Sequence, residues 1–255
     1  MIELLDWTII GPALAAGLIV LSTHVPLGQE VLKRGIIFID LAIAQVAGLG
    51  VIAAHGMSWD PNGLEVQLVA VSAALLAALG LHWTERRWPD IQEPLIGVLF
   101  ILAATGGILL LSGNPHGSEH LRDLLVGQIL WSTWASLVPI AVLYALVLAV
   151  WFGFREKMTG LGFYVAFAIV ITASVQVVGI YLVFASLIIP ALATASLKYG
   201  SRLTVGYLIG GSSYFVGIVL SSLFDLPTGA IIVWSMAAIA VITGFALTGK
   251  QTQKQ

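Results

Sequence analysis

Between Met158 and Leu197 the chain runs forty residues without an Asp, Glu, Lys or Arg. At about 1.5 Å per residue an unbroken helix over that stretch would be roughly 60 Å long. The hydrocarbon core of a bilayer is only about 30 Å thick. The stretch therefore crosses, breaks and turns back, as apolar halves at 163–179 and 180–197. Irregular backbone at membrane depth survives only where protein or a water-filled path surrounds it. A helix interrupted there is a common way to build a transport site. Pro190, which removes a backbone donor and crowds the preceding turn, is the residue expected to mark the break.

Composition agrees on the solvent. Hydrophobic residues make up 59% and charged residues 9%, and the mean hydropathy is +1.01, values of a polytopic membrane protein rather than a soluble one. A cleavable signal peptide is not expected, because the first 32 residues hold no Lys or Arg while Glu3 and Asp6 come early. The absence of Cys excludes disulfides and thiolate chemistry. A net charge of −2 gives no indication of a nucleic-acid partner.

Apolar runs between polar breaks predict an all-α protein with spans near 7–24, 36–55, 65–83, 93–112, 131–152, 163–179, 180–197, 203–222 and 229–248. With the N-terminus outside, Lys33, Arg34, Arg86, Arg87, Arg155, Lys157, Lys198, Arg202, Lys250 and Lys254 all fall inside. Arg122 alone of the 11 basic residues falls outside. Reading the forty-residue stretch as one crossing degrades that split to six against five. The basic-residue rule thus favours nine crossings, N-out and C-in, within an expected eight to nine transmembrane helices. Trp7, Trp59, Trp83, Trp88, Trp131, Trp134 and Trp151 lie near span ends, where indole prefers the interface. Gly206 and Gly210, followed by Gly211 and Gly217, read as a close helix contact. Asp225-Leu226-Pro227-Thr228 reads as an outer turn.

The segment Gly179-Ile-Tyr-Leu-Val-Phe-Ala-Ser-Leu-Ile-Ile-Pro190-Ala-Leu-Ala-Thr-Ala195 resembles the signature of one group of ABC-importer permeases, those carrying zinc or manganese. Three further segments match in order. They are Leu32-Lys33-Arg34-Gly35 followed by an apolar helix with Asp40, Asp123-Leu-Leu-Val-Gly127-Gln128-Ile-Leu130, and Leu226-Pro227-Thr228-Gly229-Ala230. The likeness runs from about residue 8 to 248. It implies one permease domain over 1–255, paired with a second copy or a paralogue in a bacterial inner membrane. Separate cytoplasmic ABC ATPase subunits would drive it, and an external solute-binding protein would feed it. The resemblance also assigns ATPase coupling to the loop at 153–162, through Arg155, Glu156 and Lys157. That loop is shorter here than the family's usual version.

Asp40 is the sharpest residue on physical grounds, since a carboxylate within an apolar span costs about 2.5–3.5 kcal/mol on insertion scales. It faces a cavity or partner, or it sits at the interface beside Lys33 or Arg34. The family's metal-lining helix carries an Asp and a His four residues apart. Here Ala44 occupies that position and Gln45 follows, so Asp40 and Gln45 are the candidate pathway residues and the pair is altered. An Asp with a Gln leans toward manganese, whereas zinc prefers nitrogen and sulfur donors. Either ion would be cargo; no tightly bound cofactor is expected.

A second candidate is the outer segment His116-Gly117-Ser118-Glu119-His120, with Asp123 one turn on. Together with His55, Asp60, Glu65 and Asp225 it forms an acidic, His-bearing face suited to gathering cations at an entrance. The same residues match H-x-x-E-H, so a zinc-dependent membrane hydrolase using His116, Glu119 and His120 is the alternative from another class. A permease for a chelated metal is the alternative within transport. Gly244 to Lys250 fits a phosphate-loop spacing, but no strand–loop–helix context surrounds it. His24 and His82 are expected at cytoplasmic interfaces, and Gln176 either lines the path or bonds a neighbouring helix.

Overall fold

The computed structural model describes residues 6–55, 59, 63–112, 114, 116–154 and 160–252. Among them the chain forms α1 (Trp7–Arg34), α2 (Ile39–His55), α3 (Leu64–Arg87), α4 (Gln92–Leu111), α5 (Gly117–Val126), α6 (Trp134–Gly153), α7 (Leu161–Val178), α8 (Ile180–Ala193), α9 (Tyr199–Phe224) and α10 (Thr228–Thr252). Short 3₁₀ turns cover Pro89–Ile91 and Ile129–Trp131. Among the described residues 7 helices are long and apolar enough to cross a membrane. The apolar helices α2 and α8 are shorter, with 17 and 14 residues. Together these account for the nine apolar runs of the sequence, and the protein is an all-α polytopic membrane protein.

Two compact units emerge. One comprises residues 1–34, 128–142 and 181–255, and the other residues 35–127 and 143–180. In the first, α9 packs on α1 and on α10. Small residues set the spacing: Gly206 faces Val25, Gly210 faces Leu21, and Gly211 faces Leu18, so a ridge of α1 lies along the glycines of α9. Gly217 admits Ile232 of α10, whose backbone a Cβ would meet at 2.6 Å. The turn between α9 and α10 places Asp225 in the left-handed region at φ 51, and Ser221 Oγ donates to Leu226 O at 2.6 Å.

In the second unit α2 is central, packed on α3, α4 and α7. Its Ile39, Ala42, Ile43 and Ala44 are fully buried. A helix apolar all round belongs inside a bundle, and α2 is one. α7 is also largely enclosed, and Tyr144 of α6 donates its hydroxyl to Val170 O at 3.1 Å and lies 2.5 Å from Ser174 Oγ. Most of the interfacial tryptophans are exposed, but Trp151 is buried, packed on Phe163 with ring centroids 6.3 Å apart. Its neighbour is an aromatic core, not the headgroup layer.

Candidate functional site

The break in the forty-residue stretch falls at Gly179, not at Pro190. Pro190 lies inside α8, while Gly179 ends α7 at φ 78, ψ 163. Gly127 ends α5 at φ 73, ψ 173. Both conformations are essentially restricted to glycine. The two residues meet back to back: a Cβ on Gly179 would overlap the Gly127 amide nitrogen, and one on Gly127 would overlap the Val178 carbonyl. Proline near a helix end is tolerated once the i−4 carbonyl finds another donor. The carbonyl freed by Pro190 is that of Ser186, four residues back; Pro190 O separately accepts from Thr194 Oγ1 at 2.7 Å.

Asp40 stands in the first turn of α2 and is fully buried. Neither carboxylate oxygen has a hydrogen-bond partner. Arg34, considered from the sequence as its counter-ion, reaches Glu30 at 2.9 Å within α1. Gln45 does not share a face with Asp40: five residues turn the helix through about 140° and advance it about 7.5 Å. Ala44, one turn beyond Asp40, is buried and offers no donor atom. The structure thus does not bring Asp40 and Gln45 together on α2.

At the start of α4, in the same unit as Asp40, stand Gln92 and Glu93, which the sequence reading did not single out. Phe38 N–H donates to Glu93 Oε1 at 3.2 Å, and Glu93 Oε2 is buried with no partner. Next to Glu93, Gln92 is almost fully satisfied: its Nε2 donates to Leu81 O at 2.9 Å, and its Oε1 accepts from Thr84 Oγ1 at 2.8 Å. His82 is buried rather than interfacial, with its ring 5.3 Å from that of Tyr164 and its Nδ1 3.6 Å from Glu85. An amide and a carboxylate opening an apolar run are the one signal in the sequence that could have found Gln92 and Glu93.

In the other unit His24 is likewise buried, ten residues before α1 ends, because α1 continues well past the expected boundary at 24. Its Nδ1 lies 2.7 Å from Ser186 Oγ of α8, and Gln29 Nε2 donates to Thr194 Oγ1 at 2.9 Å. Gly28 lets α1 touch α8 there, since a Cβ would collide with Leu187 O. After α8, Arg202 donates from Nε to Leu197 O and from Nη2 to Ala195 O, each at 2.5 Å.

The segment from His116 to His120 is helical from Gly117 onward. His116 precedes α5, and Glu119 and His120 lie in its first turns. His116 Nδ1 is 3.1 Å from Glu119 Oε2, and the two side chains are 72% and 74% exposed. Among the described residues no group of three or more His, Cys, Asp or Glu is placed to hold a metal. Gln176 bonds a neighbour, accepting from Gln67 Nε2 of α3 at 2.5 Å. Arg155, Glu156 and Lys157 lie outside the described residues. Gly244 to Lys250 is continuous helix within α10, so no phosphate loop forms.

Residues 6–168 and 153–246 match the sequence profile of the ABC 3 transport family. The chain is 24% identical to the "Probable iron transport system membrane protein" of Haemophilus influenzae, over 95% of each chain. It is 27% identical to the manganese transport system membrane protein MntC of Listeria monocytogenes, over 88% of this chain and 85% of that one. In structure it is similar to a chain of PsaBC from Streptococcus pneumoniae, solved in complex with Fab, with TM-score 0.76, 22% identity and 95% coverage of each.

Proposed function

The chain belongs to the ABC 3 transport family, and on that premise we propose that it is the permease of an importer for manganese in preference to zinc. As a member it is a membrane-spanning subunit of a metal transporter, multi-pass in the inner membrane. It is not an enzyme, and ATP hydrolysis belongs to a separate polypeptide. The hydrolase reading of His116, Glu119 and His120 has no support from the family.

The observation carrying the proposal is Asp40: a fully buried carboxylate in an apolar helix with both oxygens unpaired. Such a group calls for a cation, and in a transporter the cation is cargo. Oxygen donors suit manganese, and weak binding suits an ion that must leave. Gln45, further along α2, is a second contact at a later point of the path. His116, Glu119 and His120 gather ions at the outer entrance. Two copies, or this chain and a paralogue, enclose the path, with the N-terminus outside. ATP-driven closure of the ATPases moves the loop at 153–162, through Arg155, Glu156 and Lys157, and exchanges access between the two sides. A solute-binding protein delivers the ion.

Uptake of radioactive manganese and zinc in cells lacking other importers tests this, with wild type beside Asp40→Ala. Manganese uptake that needs the chain and collapses in Asp40→Ala is the expected result. Zinc uptake alone overturns the ion assignment, and uptake indifferent to Asp40→Ala removes Asp40 from the path. If neither ion enters with ATPase and binding protein present, a chelated metal becomes the substrate class.

A further inference from the structure

We infer that Asp40 on α2 and Glu93 on α4 form a two-carboxylate station for a hard divalent cation, with Glu93 supplying the second ligand that α2 itself lacks. This rests on the reading of the chain as a divalent-metal permease and deepens it.

Placement comes first. α2 and α4 pack along their length, with Gly106 and Gly107 of α4 admitting Leu49 and Ile52 of α2. The two N-terminal ends are pinned together by the bond from Phe38 N–H to Glu93 Oε1. That bond occupies one oxygen of Glu93. Glu93 Oε2 and both oxygens of Asp40 are buried and make no hydrogen bond, and Glu93 is tied to the backbone two residues before Asp40. Gln92, the residue before Glu93, is turned to Leu81 and Thr84.

The charge balance then decides what is missing. Each carboxylate stands in the first turn of its helix. A helix N-terminus is worth about +0.5 of an elementary charge. Two of them offset about one of the two negative charges and leave about one unmet. Among the described residues the ion pairs of Arg34 and His82 run elsewhere, that of Arg34 to Glu30 of its own helix and that of His82 to Glu85. A divalent ion meets the deficit and takes up the three free oxygens at once. Carboxylate oxygens without imidazole or thiolate select manganese, magnesium or calcium over zinc.

The test uses the full-length chain assembled with its ATPase in lipid nanodiscs. Equilibrium manganese binding is read by electron paramagnetic resonance and by retention of radioactive manganese. Glu93→Gln and Asp40→Asn are each expected to weaken binding about 10–100-fold, and the double variant to be little worse than either single one. Glu93→Asp should recover part of the affinity, and Glu85→Gln should bind as wild type. Folding is checked by monodisperse elution and helical circular dichroism. If wild type drives uptake and Asp40→Asn loses binding while Glu93→Gln binds normally, the two-helix station is wrong and the permease reading stands. Loss in Glu93→Gln with no recovery in Glu93→Asp also overturns it, since that pattern marks a purely structural role. If wild type neither binds nor imports any free divalent ion, the station and the free-metal assignment fall together, and a chelated metal becomes the substrate class.

Discussion

Replacing Gly179 with alanine should destabilise the protein severely although the change adds a single methyl group. The conformation at φ 78, ψ 163 is closed to residues with a Cβ, and holding one there costs about 1–3 kcal/mol. The added Cβ would also lie 2.5 Å from Val126 C and 2.7 Å from Gly127 Cα, both backbone atoms that no rotamer change can move. Overpacking of that kind adds about 1–3 kcal/mol. The sum is about 2–6 kcal/mol, at least a roughly 30-fold fall in the ratio of folded to unfolded protein. Unfolding in mixed micelles by rising detergent fraction, followed by tryptophan fluorescence, measures it. Gly127→Ala should behave alike. Because both methyl groups intrude on one contact, the double variant should cost less than the two singles added. Gly80→Ala is the control: nothing lies within 4 Å of its Cβ, and alanine inside α3 should stabilise by about 0.5–1 kcal/mol. A Gly179→Ala protein that unfolds with wild type would refute the argument that the break depends on this paired approach.

Two further outcomes follow from hydrogen bonds outside the proposed path. Tyr144→Phe removes the donor to Val170 O and the partner of Ser174 while keeping the ring, and should cost about 1 kcal/mol in the same unfolding assay. Asp6 caps α1 by accepting from Thr8 N–H at 2.9 Å and Thr8 Oγ1 at 2.6 Å, bonds that hold its carboxyl below the ordinary 3.8. A lowered value means the cap is fully present above about pH 3.8 and is lost as pH falls through the folded value. Amide exchange at Thr8 should stay slow at pH 5, and Asp6→Ala should speed it there but make little difference once the carboxyl is protonated.

Much of the architecture was legible because a bilayer imposes a length. Forty uncharged residues demand a reversal, and the spans at 163–179 and 180–197 meet where α7 gives way to α8. What composition could not reveal was which residue makes the break. Pro190 carries the stronger local signal, yet a proline three residues before the end of a helix is accommodated, whereas the glycine's conformation depends on a partner fifty residues away. His24 was misplaced for a related reason. Ser22-Thr23-His24 resembles a polar span end, but each finds a hydrogen bond inside the protein, so α1 runs on to Arg34. Asp40 stood out by charge alone. Glu93 did not, because a carboxylate opening an apolar run looks like an interfacial residue until α2 is seen packed against it. The Gln45 expectation came from the family resemblance, and five residues is a poor interval for sharing a helical face.

Arg202 illustrates how one side chain is read at two different times. While the nascent chain inserts, any cation before an apolar run weighs on which end stays behind, and arginine and lysine count equally. Once the chain has folded, the same guanidinium closes over Leu197 O and Ala195 O, carbonyls released where α8 stops. That second task needs a planar fork with several donors, which lysine does not have. The biosynthetic machinery would accept either residue here, and only the finished protein distinguishes them.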